Sequence, residues 1–306
     1  MMRGLFAKKA GDAESAEHFV PKMFLKAPIA ILCVALAVAL PAPAEDLISI
    51  RGAQVAAEPV NAAAEQFQKE TGLKFRIISE GGNARAVTGI GEDVVDVALL
   101  SRKITQHEFA SWPERHFTET QFGMQALVII VPDQIWNAGV HALTKDQVRD
   151  IYEGQVKNWK SLGGQDRKVV FYNRDVRGSA WELLATFLYE DTRKAPMSDA
   201  EALTEPSDVT TAVEYNSGSI SFLEYAAPRP ATMHALGIRL PDGKVVEPTP
   251  ANIASGRYEL ARPLVIATAR KPAGNLRRFV DFMLGPTGQS FLKKRGHLSN
   301  TDLGLK

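Results

Sequence analysis

From residue 47 to residue 294, short apolar runs alternate with amphipathic stretches, and this alternation narrows the possible folds more than any other feature. Residues 47–51 read as a strand, residues 56–70 as a helix with Val60, Ala63, Ala64 and Phe67 on one face, and residues 74–79 as the next strand. A helix over 84–91 and a strand over 94–100 follow. Thr105 caps a short helix in which Glu108 completes a capping box, and Thr144 with Gln147 repeats the device for a helix through Tyr152. Residues 125–131 form an almost unbroken apolar strand, which Pro132 stops. Strands at 168–172, 219–225, 237–240 and 263–268 then alternate with helices at 179–189, 208–215 (capped by Ser207) and 250–255. Two C-terminal helices, 273–284 and 286–294, are split by Gly285-Pro286. The pattern predicts an α/β protein with largely parallel sheets flanked by helices. No Ser/Gly tract or charge block interrupts it, so two lobes would be joined by short strands rather than a tether.

The first 44 residues do not belong to this pattern. Residues 27–40 carry no charge, Lys22 and Lys26 precede them, and Pro41-Ala42-Pro43-Ala44 follows. A positive flank, a short apolar run and small residues at Ala42 and Ala44 predict a secretory signal cut after Ala44, and hence a periplasmic protein. The run is shorter than the roughly 20 apolar residues of a membrane span. Met23 stands where such a signal would begin. Cys33, the single cysteine, lies inside the run, so the exported chain is expected to have no thiol nucleophile and no disulfide framework. Removing residues 1–44 takes five basic and three acidic residues from totals of 36 and 35, leaving a net charge of −1. That balance gives no polyanion-binding surface, and no nucleic-acid partner is expected.

The inventory of chemical motifs points to binding rather than catalysis. There is no HExxH, no GxSxG elbow, no P-loop and no GxGxxG. His107, His116, His141, His234 and His297 are scattered and read as surface or packing residues, so no metal site and no cofactor are expected. The informative features are four turns that end strands and open helices: Arg51-Gly52-Ala53-Gln54, Glu80-Gly81-Gly82-Asn83, Leu100-Ser101-Arg102, and Asn173-Arg174-Asp175-Val176-Arg177-Gly178-Ser179. Glycine lets a backbone approach a ligand, and free helix N-terminal amides favour an anion. In the fourth turn two arginines straddle a helix start, and a guanidinium fork suits an oxyanion.

These turns, with several longer segments, resemble the periplasmic phosphate-binding proteins of ABC transporters, the PstS-like branch of the type II periplasmic binding fold. The resemblance covers residues 47–298 and is most specific in Gln147-Val-Arg-Asp-Ile-Tyr-Glu-Gly-Gln-Val-Lys-Asn-Trp159 and in the Arg174 to Ser179 turn. Ser219-Ile-Ser-Phe222, Ser255-Gly-Arg-Tyr-Glu-Leu-Ala-Arg-Pro-Leu264 and Gly285-Pro-Thr-Gly-Gln289 complete it. It implies two lobes, each a mostly parallel sheet flanked by helices, with the ligand cleft between them. Lobe 1 is expected over residues 45–126 plus 228–306 and lobe 2 over 127–227, crossing near Ala126 and returning near Ala227. It implies anion contacts from Ala53, Gln54, Gly82, Asn83, Ser101, Arg174, Gly178 and Ser179, to which the turn adds Arg177. The implied ligand is phosphate or a related oxyanion, delivered by a monomer to an inner-membrane ABC permease. The alternative is a PstS-like envelope protein whose altered or lost anion site serves a structural or signalling partner. Family members commonly carry Ser or Thr in the first turn, where this chain has Ala53-Gln54-Val55. Each lost hydrogen bond to a charged ligand would weaken binding by about 1.5–3 kcal/mol.

Overall fold

The structure, a computed structural model, describes residues 47–305. The signal segment, Cys33 and the cleavage point after Ala44 lie outside the described residues. Among these residues no helix is long and apolar enough to cross a membrane.

Eleven strands form one sheet whose main path runs Val245–Val246, Met233–Arg239, Thr118–Pro132, Ala261–Thr268, Val97–Leu100, Leu47–Gly52 and Lys74–Ile78. Strand Leu47–Gly52 pairs in parallel with both its neighbours, as alternation with helices requires. The fifteen-residue strand Thr118–Pro132 instead pairs antiparallel with Ala261–Thr268, Met233–Arg239 and Ser219–Glu224. The sheet is therefore mixed rather than mostly parallel, because the strands that pass between the lobes run against those they meet.

The long strand belongs to both lobes. Its first part, Thr118 to Ala126, pairs with the strand Ala261–Thr268, from Ala261 opposite Ala126 to Thr268 opposite Thr118. From Leu127 onward it pairs with Ser219–Glu224 and Met233–Arg239. Leu127, Ile129 and Val131 enter one apolar cluster with Trp159, Phe222, Ile238, Tyr258 and Leu260, while Val128 and Ile130 enter another with Val209 and Val213. Alternate residues are thus buried on opposite faces, which explains the unbroken apolar run. Ile50, Val55, Phe67, Leu264 and Phe279 share a separate core, and Val87, Leu100 and Val265 a further one. The long strand changes partners between Ala126 and Leu127. Met233–Arg239 pairs with the far half of the long strand, and Tyr258 and Leu260 join the apolar cluster of that half, whereas Ala261–Thr268 pairs with the near half.

Local signals held where a side chain satisfies the helix start. Thr105 and Glu108, like Thr144 and Gln147, form both hydrogen bonds of a capping box. Helix Pro206–Tyr215 starts earlier than Ser207 suggests: Glu205 is the cap, and Pro206 fills the first helical position, where no N–H is needed.

Candidate functional site

The first turn is built by the sheet beneath it. A Cβ on Gly52 would lie 2.3 Å from the Leu99 carbonyl oxygen, so this glycine is required by the neighbouring strand and not by a ligand. The Ala53 amide donates to that same carbonyl at 2.9 Å. Ala53 is buried at the cap of helix Gln54–Thr71, with its own N–H already used. Gln54 faces the space between the lobes, and its Nε2 donates to Glu58 Oε1 at 3.1 Å.

Gly81 and Gly82 have φ of 93° and 62°, a consecutive left-handed pair that strongly favours glycine. This pair opens helix Gly82–Gly91 and aims Asn83 at the end of the neighbouring strand. There Asn83 Oδ1 accepts from the Ser101 amide at 2.8 Å, and Asn83 Nδ2 donates to Ser101 Oγ at 3.1 Å. Asn83 is thus a staple that positions Ser101.

In the second lobe, Arg174 is buried on the short strand Asn173–Arg174. Its Nη1 meets Glu224 Oε2 at 3.1 Å, its Nη2 donates to the Thr204 carbonyl at 3.1 Å, and its Nε is buried with no partner. Arg177, by contrast, is almost wholly exposed and pairs with Asp175 of its own turn. The hydrogen bond from Arg177 lowers the Asp175 pKa below the ordinary carboxylate value. Gly178 caps helix Ser179–Tyr189 without a side chain, leaving the first amides free of any side-chain partner.

Gln54, Arg174, Arg177, Gly178 and Ser179 line one cleft of about 700 Å³. Asn83 and Ser101 line a second hollow of about 350 Å³, with Arg102, Lys145, Glu182 and Arg262. Ala53 and Gly82 line neither. Arg262, which lines the second hollow, donates from Nη2 to the carbonyl of Ser179, which lines the first, at 3.2 Å.

Four contributions escaped sequence reasoning. Glu224 takes up the fork of Arg174. Lys293, Lys294 and Arg295 bring positive charge to the larger cleft from the end of helix Pro286–Lys294. The run Lys-Lys-Arg closing a helix was a readable signal, since basic residues favour a helix C-terminus. Gln125 and Arg262, opposite each other on the long strand and on Ala261–Thr268, both reach Ser179.

The fourth is His297, which lines the larger cleft yet is buried, with neither ring nitrogen hydrogen-bonded. Burial, with the nearby positive charges of Arg262 and Arg295, lowers its pKa from 6.5 to about 4. The unfolded chain therefore takes up this proton first as the pH falls. Stability from the neutral ring is complete above the unfolded value and lost as the pH drops from 6.5 toward about 4. This group should cost the protein about 2 kcal/mol between pH 7.5 and pH 5. Urea unfolding of the parent and of His297→Gln at both pH values checks it; equal losses in the two proteins would refute the assignment.

A family model described as a PBP superfamily domain matches residues 37–287. Across 260 residues the chain is 24% identical to the phosphate-binding protein PstS of Borreliella burgdorferi, covering 83% of this chain and 90% of that one. It is 27% identical over 261 residues to PstS of Bacillus subtilis, covering 84% and 81%. A crystal structure described as a possible phosphate binding protein from Planctomyces limnophilus superposes with a TM-score of 0.73, at 22% identity, over 84% of this chain and 95% of that one. With the crossed strands and the cleft between two cores, the family match makes this chain a member of the PBP superfamily, with the type II periplasmic binding fold.

Proposed function

We propose that the protein is a periplasmic solute-binding protein that takes phosphate, or a related oxyanion, between its lobes and delivers it to an inner-membrane ABC transporter. The observation that carries this reading is the second-lobe turn at the cleft. There, uncapped amides at Ser179 stand beside a buried arginine whose Nε has no protein acceptor. Neutral donors and one guanidinium suit a desolvated anion. The relatives named as phosphate-binding proteins support phosphate as the ligand. Export is supported by the positive flank, apolar run and small residues before Ala44. The protein is read as a monomeric binder that carries out no catalysis and has no nucleic-acid partner.

The Glu224 carboxylate in the Arg174 fork supports a second reading, an envelope protein whose altered anion site serves another partner. One experiment separates them. Residues 45–306 are unfolded thermally with phosphate, arsenate, sulfate or molybdate present. A ligand at 100 times its Kd adds about 2.7 kcal/mol, a readily measured shift. A shift with phosphate is expected; the absence of any shift would reject the transport reading in favour of the second.

A further inference from the structure

Three residues at the crossing point form a chain of hydrogen bonds whose direction is fixed by chemistry. Arg262 Nε donates to Gln125 Oε1 at 2.8 Å, and Gln125 Nε2 lies 3.1 Å from Ser179 Oγ. A guanidinium is only ever a donor, so the amide oxygen of Gln125 must face Arg262. Its NH₂ group, again only a donor, then faces Ser179, and the serine oxygen must accept. Ser179's own O–H hydrogen is left to point elsewhere, and Ser179 lines the larger cleft. Gln125 is fully buried, and Arg262 is held further by Glu182 at 3.1 Å and by the Ser179 carbonyl, so neither is free to reverse the order.

We propose that Arg262 and Gln125 are positioning residues that make Ser179 an obligate hydrogen-bond donor to the anion in the cleft. The inference rests on the anion-binding reading above and adds a rule of selectivity. A hydroxyl already accepting from Gln125 turns its hydrogen toward oxygens that carry lone pairs, and offers little to a ligand group that must itself donate. Each bond in the chain polarises the next, so the donor is strengthened by the arginine it does not touch. The two positioning residues sit on the two strands that connect the lobes, paired directly across the ladder. This also gives a role to the Ser255 to Leu264 segment, whose Arg262 the anion contacts leave unexplained.

The test is a double-mutant cycle with inorganic phosphate, read by calorimetric titration of the full exported chain. Gln125→Glu keeps the shape and the link to Arg262, but its carboxylate accepts from Ser179 and draws that hydrogen out of the cleft. We expect it to weaken phosphate binding about tenfold. In a Ser179→Ala background there is no hydrogen to redirect, and the same change should cost several-fold less. Equal factors in both backgrounds would overturn the proposal, because a charge or packing effect does not depend on the hydroxyl. Should Gln125→Glu fail to fold, Gln125→Met completes the cycle with the same criterion. A parent that binds no phosphate overturns the functional reading and this inference with it, whereas a binding parent with equal factors overturns this inference alone.

Discussion

Replacing Arg174 with alanine is expected to weaken phosphate binding at least about a hundredfold and to destabilise the empty protein as well. The binding loss follows from removing a guanidinium able to give two charge-assisted bonds, each worth roughly 1.5–3 kcal/mol. The stability loss has a separate origin. Arg174 and Glu224 are 8% and 13% exposed, so removing the arginine leaves a carboxylate buried without its partner, at a cost of about 3–5 kcal/mol. Calorimetric titration and urea unfolding measure the two effects independently. Glu224→Gln supplies the contrast: it keeps an oxygen facing Arg174 but removes the competing charge, and should bind phosphate more tightly than the parent. An Arg174→Ala protein that still binds phosphate as well as the parent would show that the anion sits elsewhere.

How much of this was legible in the sequence depends on the range of the interaction. Capping boxes at Thr105 and Thr144 could be read because donor and acceptor lie three residues apart. The alternating periods placed most strands and helices for the same reason. The pairing of Ala261–Thr268 could not be read, since nothing local distinguishes a strand that pairs with the near half of Thr118–Pro132 from one that pairs with the far half. The site divides along the same line. The turn at Arg174 to Ser179 was visible as a string of small and basic residues. Glu224 lies fifty positions from the arginine it holds, and Gln125 fifty-four from Ser179, so only the folded chain joins them. Gly52 shows the opposite error: a glycine at a strand end reads as room for a ligand, but the Leu99 carbonyl occupies that space. Arg177, conspicuous in sequence, is drawn to Asp175 two residues away and stays in solvent.

Trp159→Ala should be the most damaging single substitution outside the cleft, lowering stability by about 3–5 kcal/mol. Trp159 is fully buried in the core of the second lobe, among Val140, Phe222 and Tyr258. Its Nε1 donates to the Gly218 carbonyl at 2.8 Å, and its backbone amide donates to the Arg167 carbonyl at 2.9 Å. Truncation therefore opens a large cavity and also leaves the Gly218 carbonyl with the Val170 amide as its one remaining backbone donor, next to a strand junction where Gly218 has no room for a side chain. Trp159→Phe fills most of the volume but lacks the N–H, and should lose clearly less. Urea unfolding ranks the three proteins, and phosphate titration below the unfolding transition should give one affinity for all of them, because Trp159 lines neither cleft. The segment from Gln147 to Trp159 was among the most specific in the sequence resemblance, yet its side chains specify the packing of a lobe. If Trp159→Ala bound phosphate markedly more weakly while remaining fully folded, that division between packing and recognition would fail.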